Sequence, residues 1–148
     1  MVAGGFNPRN TSAIQEGALA PETPNTIVYH DPCYLGRYRD VYEQPRAVAS
    51  LAGEVVEAPR SHQRSFCCGA GGGLVFLGEE TGDRVSHNRV NELIATGAST
   101  IGTACPFCNS MFRDALAAKG DSAPQLLDIA QLTARNLPLP TDKATASP

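Results

Sequence analysis

Short β-branched runs that alternate with longer helical stretches predict an α/β protein: an open, mainly parallel sheet built from βαβ units, with helices on both faces. Two further observations support that class. Glycine or proline punctuates the ends of the runs, and each cysteine group falls just after a predicted strand. In an open parallel sheet the loops at the carboxyl ends of the strands are the ones that gather around ligands. The cysteine loops are therefore expected at that edge.

Residues 1–25, rich in Gly, Asn, Pro, Ser and Thr, read as a flexible tail or the remnant of a preceding domain, with one helical turn from Ile14 to Leu19. The folded body is expected over residues 26–137. Its strands are Thr26 to Tyr29, Glu54 to Glu57 and Ser99 to Thr103, each rich in residues that suit a pleated, buried surface. Helices are expected at Val41 to Ala52, Thr81 to Thr96, Pro106 to Lys119 and Leu126 to Asn136. In the second of these, Val90, Leu93 and Ile94 form one apolar stripe and Gly97 supplies the stop. In the last, Leu126, Ile129, Ala130 and Leu132 are expected to pack onto the sheet. Residues 138–148 carry three prolines with Thr, Ala and Ser and read as a disordered tail.

Composition narrows the function classes. A chain of 148 residues makes one ordinary domain, able to bury roughly two thirds of its unfolded surface without staples. Its apolar runs are far shorter than the ~20 residues that cross a bilayer. A net charge of -3, with Lys and Arg scattered, leaves no basic footprint for nucleic acid. The start, Met1-Val2-Ala3-Gly4-Gly5, has no charged region followed by an apolar stretch, so a cytoplasmic location with reduced thiols is expected. Ser-His-Asp sets and paired carboxylates are absent, and no catalytic residue is assigned.

The chemistry rests on five cysteines: Cys33, the adjacent pair Cys67 and Cys68, and the pair Cys105 and Cys108. Thirty-three residues separate Cys33 from Cys67 and thirty-six separate Cys68 from Cys105, so distant segments must fold together before the sulfurs meet. The odd count resists a plain disulfide framework. Adjacent side chains splay apart, which disfavours one tetrahedral ion and suits a multinuclear cluster. Cys105 should end a strand loop, Pro106 should take the first helical position, and Cys108 should share a helix face with Cys105. A helix N-terminus favours thiolate, which suits a metal ligand and also a redox nucleophile. The run Cys67-Cys68-Gly69-Ala70-Gly71-Gly72-Gly73 allows positive φ and close backbone approach to a bulky anion. A phosphate loop is the alternative there, but no Gly-Lys-Ser/Thr follows. His30 and Asp31 are candidate hydrogen-bond partners or proton carriers beside the sulfurs. Arg37, Arg39, Arg60 and Arg64 flank the cysteine segments and could offset thiolate charge. His62 and His87 lack metal-ligand spacing. Thiolate softness favours iron-sulfur or zinc and does not choose between them. A structural zinc domain and a thiol-disulfide enzyme working through Cys105 and Cys108 are the alternatives.

Three segments carry a resemblance to a known family. Tyr29-His30-Asp31-Pro32-Cys33-Tyr34-Leu35-Gly36-Arg37, Cys67-Cys68-Gly69-Ala70-Gly71-Gly72 and Cys105-Pro106-Phe107-Cys108 resemble the signatures of the cysteine-rich CCG domain of heterodisulfide reductase, over roughly residues 26–118. Related domains occur in the iron-sulfur components of glycolate, lactate and glycerol-3-phosphate oxidation systems and in one class of succinate:quinone reductase. The resemblance implies that Cys33, Cys67, Cys68, Cys105 and Cys108, with Gly69 in the loop, bind a [4Fe-4S] cluster of noncubane type; in some relatives zinc takes its place. Family members usually carry two such domains. This chain looks like the carboxyl-terminal one of a larger Fe-S oxidoreductase: an electron-transfer domain or subunit rather than a complete enzyme. The implied partners are other domains or subunits of an Fe-S/flavin oxidoreductase complex, through which it would reach the cytoplasmic face of a membrane.

Overall fold

A computed structural model describes residues 25–77 and 82–137. Among these, four strands form one sheet: β1 (Thr26–Tyr29), β2 (Glu54–Val56), β3 (Thr100–Thr103) and β4 (Gln125–Asp128). Their order is β2-β1-β3-β4 and every pairing is parallel. The helices are α1 (Gly36–Arg39), α2 (Glu43–Ala49), α3 (Leu74–Leu77), α4 (Val85–Ile94), α5 (Pro106–Ala117) and α6 (Ile129–Asn136).

The two-residue period of a strand sends alternate side chains to opposite faces, and each face acquires its own core. Val28 and Ile101 pack with Val90 and Leu93 of α4 and Phe112, Ala115 and Leu116 of α5. On the other face Ile27 and Leu127 pack with Ala49 of α2 and Leu132 of α6. The central side chains Ile27, Val28, Ile101 and Phe112 are fully buried, each contributing about 2 kcal/mol of apolar transfer. The expected α/β class, with a parallel sheet and helices on both faces, is what the chain adopts.

The helix expected from Leu126 to Asn136 requires correction. Gln125–Asp128 is instead a fourth strand, paired through Thr100↔Gln125 to Thr103↔Asp128. Leu126 lies against the α4/α5 core and Leu127 against the α2/α6 core, an alternation no single helical stripe allows. The helix then starts at Ile129, with Asp128 as its N-cap, and Ala130 is exposed rather than packed on the sheet. The Val41 to Ala52 helix shortens to Glu43–Ala49, with α1 as a separate turn before it, because Asp40 takes a left-handed conformation (φ 53°) that ends α1. Of the Thr81 to Thr96 helix, Val85–Ile94 forms, Gly97 (φ 76°) follows it, and Thr81 lies outside the described residues. The tails expected at residues 1–25 and 138–148, with the turn near Ile14, lie almost wholly outside them too. No helix of the described residues is long and apolar enough to cross a membrane.

Strand order places the site. The chain leaves β1 toward β2 on one side and returns through β3 on the other, so the crossover direction switches between β1 and β3. At such a switch point the two following loops part and leave a crevice beyond the carboxyl edge.

The capping box of α6 gives a direct check on this boundary. The Asp128 side chain accepts from the Ala130 N–H at 2.9 Å, and Gln131 Oε1 accepts from the Asp128 N–H at 2.9 Å. Asp128→Ala is expected to lower unfolding free energy by about 1 kcal/mol, seen as a lower urea midpoint at unchanged slope.

Candidate metal centre

Three loops build the crevice. After β1, Pro32 starts a tight turn in which its carbonyl accepts the N–H groups of Leu35 and Gly36 at 3.2 and 2.9 Å, presenting Cys33 at its tip. Gly36 is required by packing: a Cβ there would stand 2.8 Å from the Tyr42 ring. The loop after β2 is fastened to this turn. Ser65 Oγ donates to the Asp31 carbonyl at 3.2 Å, and Arg37 Nη2 donates to the Ser65 carbonyl at 2.6 Å. Cys67 and Cys68 follow, and Gly69 takes φ 92°, where a Cβ would also meet the Ser86 nitrogen at 3.2 Å. The Gly69 N–H points to Cys67 Sγ at 3.3 Å. After β3, Cys105 is the extended N-cap of α5 and Pro106 opens the helix, so Cys108 lies in the first turn.

All five cysteines line one cavity of about 270 Å³, with His30, Phe76 and Phe107 also in its wall. All five are free thiols. Cys68 and Cys108 are buried, whereas Cys33, Cys67 and Cys105 are half-buried. A ring nitrogen of His30 and the sulfurs of Cys68 and Cys108 lie within 4.8 Å of one another. The Cys108 thiol donates to Cys68, which, against the cost of burial and with help from His30 and the Ala70 N–H, pulls the Cys68 pKa down to about 4. Cys108 is pushed up by the same hydrogen bond, by burial and by the neighbouring sulfurs of Cys68 and Cys105. Cys33 is raised by burial and then by the charges of Cys68, Cys67 and Cys105. These sulfurs are close enough to oppose one another's ionisation, and a bound cationic group would relieve that repulsion.

The cavity stands on buried ionic groups. Arg46, 8% exposed, forks both guanidinium edges: Nη1 and Nη2 bond Asp31 at 2.6 and 2.9 Å, and Nε and Nη2 bond Glu57 at 2.6 and 2.9 Å. The His62 N–H adds a bond to Asp31 Oδ2 at 2.8 Å. Burial alone would raise the Asp31 pKa, but the bonds from Arg46 and His62 prevail and hold it below the usual carboxylate range. Arg46 holds Glu57 below its usual range as well. A second arginine, Arg89 of α4, is fully buried, and its Nε lies 3.2 Å from His30 Nδ1.

The expected site residues come together. Cys33, Cys67, Cys68, Cys105 and Cys108 share the cavity, Gly69 shapes its loop, and His30 and Asp31 lie in its wall. Of the four flanking arginines, Arg37 lines the cavity, with its Nη2 donating to the Ser65 carbonyl. Arg39, Arg60 and Arg64 do not line the cavity, and Arg60 instead bonds Glu92 and lies over the Phe66 ring at 3.8 Å. Among the described residues the buried arginines are Arg46 and Arg89, both placed inside helices where periodicity alone reads as solvent-facing charge. His62, without ligand spacing, proves to be a backbone clamp on Asp31, and His87 does not line the cavity.

The cysteine-rich domain family CCG matches residues 27–113, a span containing all five cysteines, and the chain belongs to that family. Among curated proteins it is 39% identical over 129 residues to the probable iron-sulfur-binding oxidoreductase FadF of Bacillus subtilis, covering 84% of this chain and 18% of that protein. It is 38% identical over 130 residues to the EtfAB:quinone oxidoreductase of Syntrophomonas wolfei, covering 80% and 18%. To a subunit of the dihydromethanophenazine:CoB--CoM heterodisulfide reductase of Methanosarcina barkeri it is 40% identical over 135 residues, covering 86% and 32%. The chain thus spans between about a fifth and a third of these relatives' lengths. No solved structure matches it at a significant level.

Arg46→Met would strand the Asp31 carboxylate in a buried site, so a loss of about 3 kcal/mol is expected at neutral pH. The paired carboxylates have depressed folded-state pKa values, so their contribution is complete above the ordinary carboxylate range and disappears as pH falls below it. The gap between wild type and variant in chemical denaturation should therefore narrow in acid.

Proposed function

We propose that this CCG domain binds a [4Fe-4S] cluster through Cys33, Cys67, Cys68, Cys105 and Cys108 and passes electrons within a larger oxidoreductase. The observation that carries this reading is the convergence of five thiols from three loops in one cavity. The donor set suits the group: thiolates are soft ligands, the choice for iron-sulfur clusters. The space of about 270 Å³ suits a multi-atom group better than a lone ion, since a single water's share of liquid volume is about 30 Å³. Gly71, Gly72 and Gly73 line the cavity without side chains of their own, which leaves that wall open to a bulky group. The names of the relatives support the same direction, since FadF is called iron-sulfur-binding and another relative belongs to a heterodisulfide reductase.

When bound, the cluster supplies reversible one-electron chemistry. The chain's own residues do the rest. The three loops fix the sulfurs, burial of Cys68 and Cys108 limits water, and the Gly69 and Ala70 N–H groups hydrogen-bond to the Cys67 and Cys68 sulfurs. Phe76 and Phe107 at the cavity wall are exposed, 85% and 50%, and offer an apolar surface through which another domain or subunit of an Fe-S/flavin oxidoreductase could approach. Such a partner would also provide any link to the cytoplasmic face of a membrane.

A zinc domain is the second reading, favoured by the mutual 4.8 Å spacing of His30, Cys68 and Cys108. A structural zinc takes four ligands, so at least one of the five cysteines in the cavity is left without a task. Anaerobic reconstitution with iron and sulfide separates the readings: about four irons and four sulfides per chain, with broad absorbance near ~400 nm, are expected. Cys68→Ser should lose most of that iron, and Gly69→Val, forcing a branched side chain to φ 92°, should at least halve it. One zinc per chain with no iron uptake would contradict the proposal, as would metal-free protein that reduces insulin disulfides.

A further inference from the structure

His30 is 1% exposed, at the end of β1, and packs edge-on to Phe112 with ring centroids 4.7 Å apart. By distance it could be a metal ligand with Cys68 and Cys108. Its other neighbour decides otherwise. Arg89 Nε lies 3.2 Å from His30 Nδ1. A guanidinium offers only N–H donors and keeps its charge in proteins, so the nitrogen facing it must present a lone pair. Nδ1 therefore accepts, and the ring proton resides on Nε2, the nitrogen left for the sulfurs. A ligating histidine ordinarily donates its second N–H to a carboxylate or carbonyl; here that place is taken by a donor, and a metal on Nε2 would require a ring with no proton at all. Arg89 cannot easily turn away, because its Nη1 is held by the Arg60 carbonyl at 3.0 Å and by Glu92 Oε2 at 3.1 Å.

We infer that His30 is an N–H donor to the Cys68 sulfur and not a metal ligand, and that Arg89 is the positioning residue that fixes this tautomer. The part concerning the loaded site rests on the proposal that the cavity holds an iron-sulfur cluster. Hydrogen bonds to cluster sulfurs stabilise the more negative, reduced state and raise the potential. A fully buried arginine one ring away acts in the same sense.

Two measurements test this. In the metal-free chain with reduced thiols, long-range ¹H–¹⁵N correlation of the imidazoles should find His30 as the Nε2–H tautomer; an Nδ1–H tautomer would overturn the inference without touching the cluster proposal. Arg89→Met should lose that fixed tautomer if it folds, and the wild-type spectrum decides the matter if it does not. In the reconstituted chain, His30→Leu should retain its iron and shift to a lower midpoint potential, while His30→Gln, which restores an N–H donor, should recover part of the shift. Pulsed EPR showing a directly bound histidine nitrogen in wild type, absent from His30→Leu, would overturn it. Failure of the wild-type chain to take up iron would count against the proposed function alone, because the tautomer remains readable.

Discussion

Every strand of the sheet runs in the same direction, and that constraint determines where the chemistry can be. Parallel pairing of β1, β2 and β3 delivers the loops that follow them to one edge, although Cys33, Cys67-Cys68 and Cys105-Cys108 are far apart in sequence. The order β2-β1-β3-β4 adds the switch of direction between β1 and β3, which opens a crevice flanked by the Cys33 turn and the N-terminus of α5. The cores on the two sheet faces pack those strands from both sides. The site is thus a consequence of topology before it is a consequence of any particular ligand.

Crowding five sulfurs in one cavity has an electrostatic cost that the fold partly offsets. The Cys108 thiol hydrogen-bonds to Cys68, and Cys33 feels the charges of three other cysteines. Beneath them, Arg46 is fully engaged by Asp31 and Glu57, so it serves chiefly to tie the β1 loop to α2 and to the end of β2. Arg89 is different. Its contacts run through His30 toward the sulfurs, which joins α4 to the site through one imidazole.

Much of this was legible in the chain itself. β-branched runs at Thr26–Tyr29 and Thr100–Thr103 stand out by composition, and cysteines placed just after them indicate the edge at which they meet. The fourth strand was not legible, because Leu126 and Leu127 followed by Ile129 and Leu132 fit a helical stripe as readily as two strand faces; only the pairing with β3 arbitrates. Arg89 was hidden for a related reason. An arginine between Asn88 and Val90 in an amphipathic helix reads as a solvated side chain, and its burial depends on His30, fifty-nine residues away, and on the Arg60 carbonyl. Of the arginines noticeable by sequence proximity, Arg37 does line the cavity, whereas Arg39, Arg60 and Arg64 do not, because a folded loop need not preserve sequence proximity as spatial proximity.

In the proposed centre only sulfur, thiolate from all three loops together with inorganic sulfide, surrounds iron in the crevice. Iron-edge X-ray absorption on the anaerobically reconstituted chain measures that environment directly. An all-sulfur first coordination sphere with iron neighbours beyond it is the predicted result; a sphere containing nitrogen or oxygen ligands, or isolated iron with no iron neighbour, would contradict it.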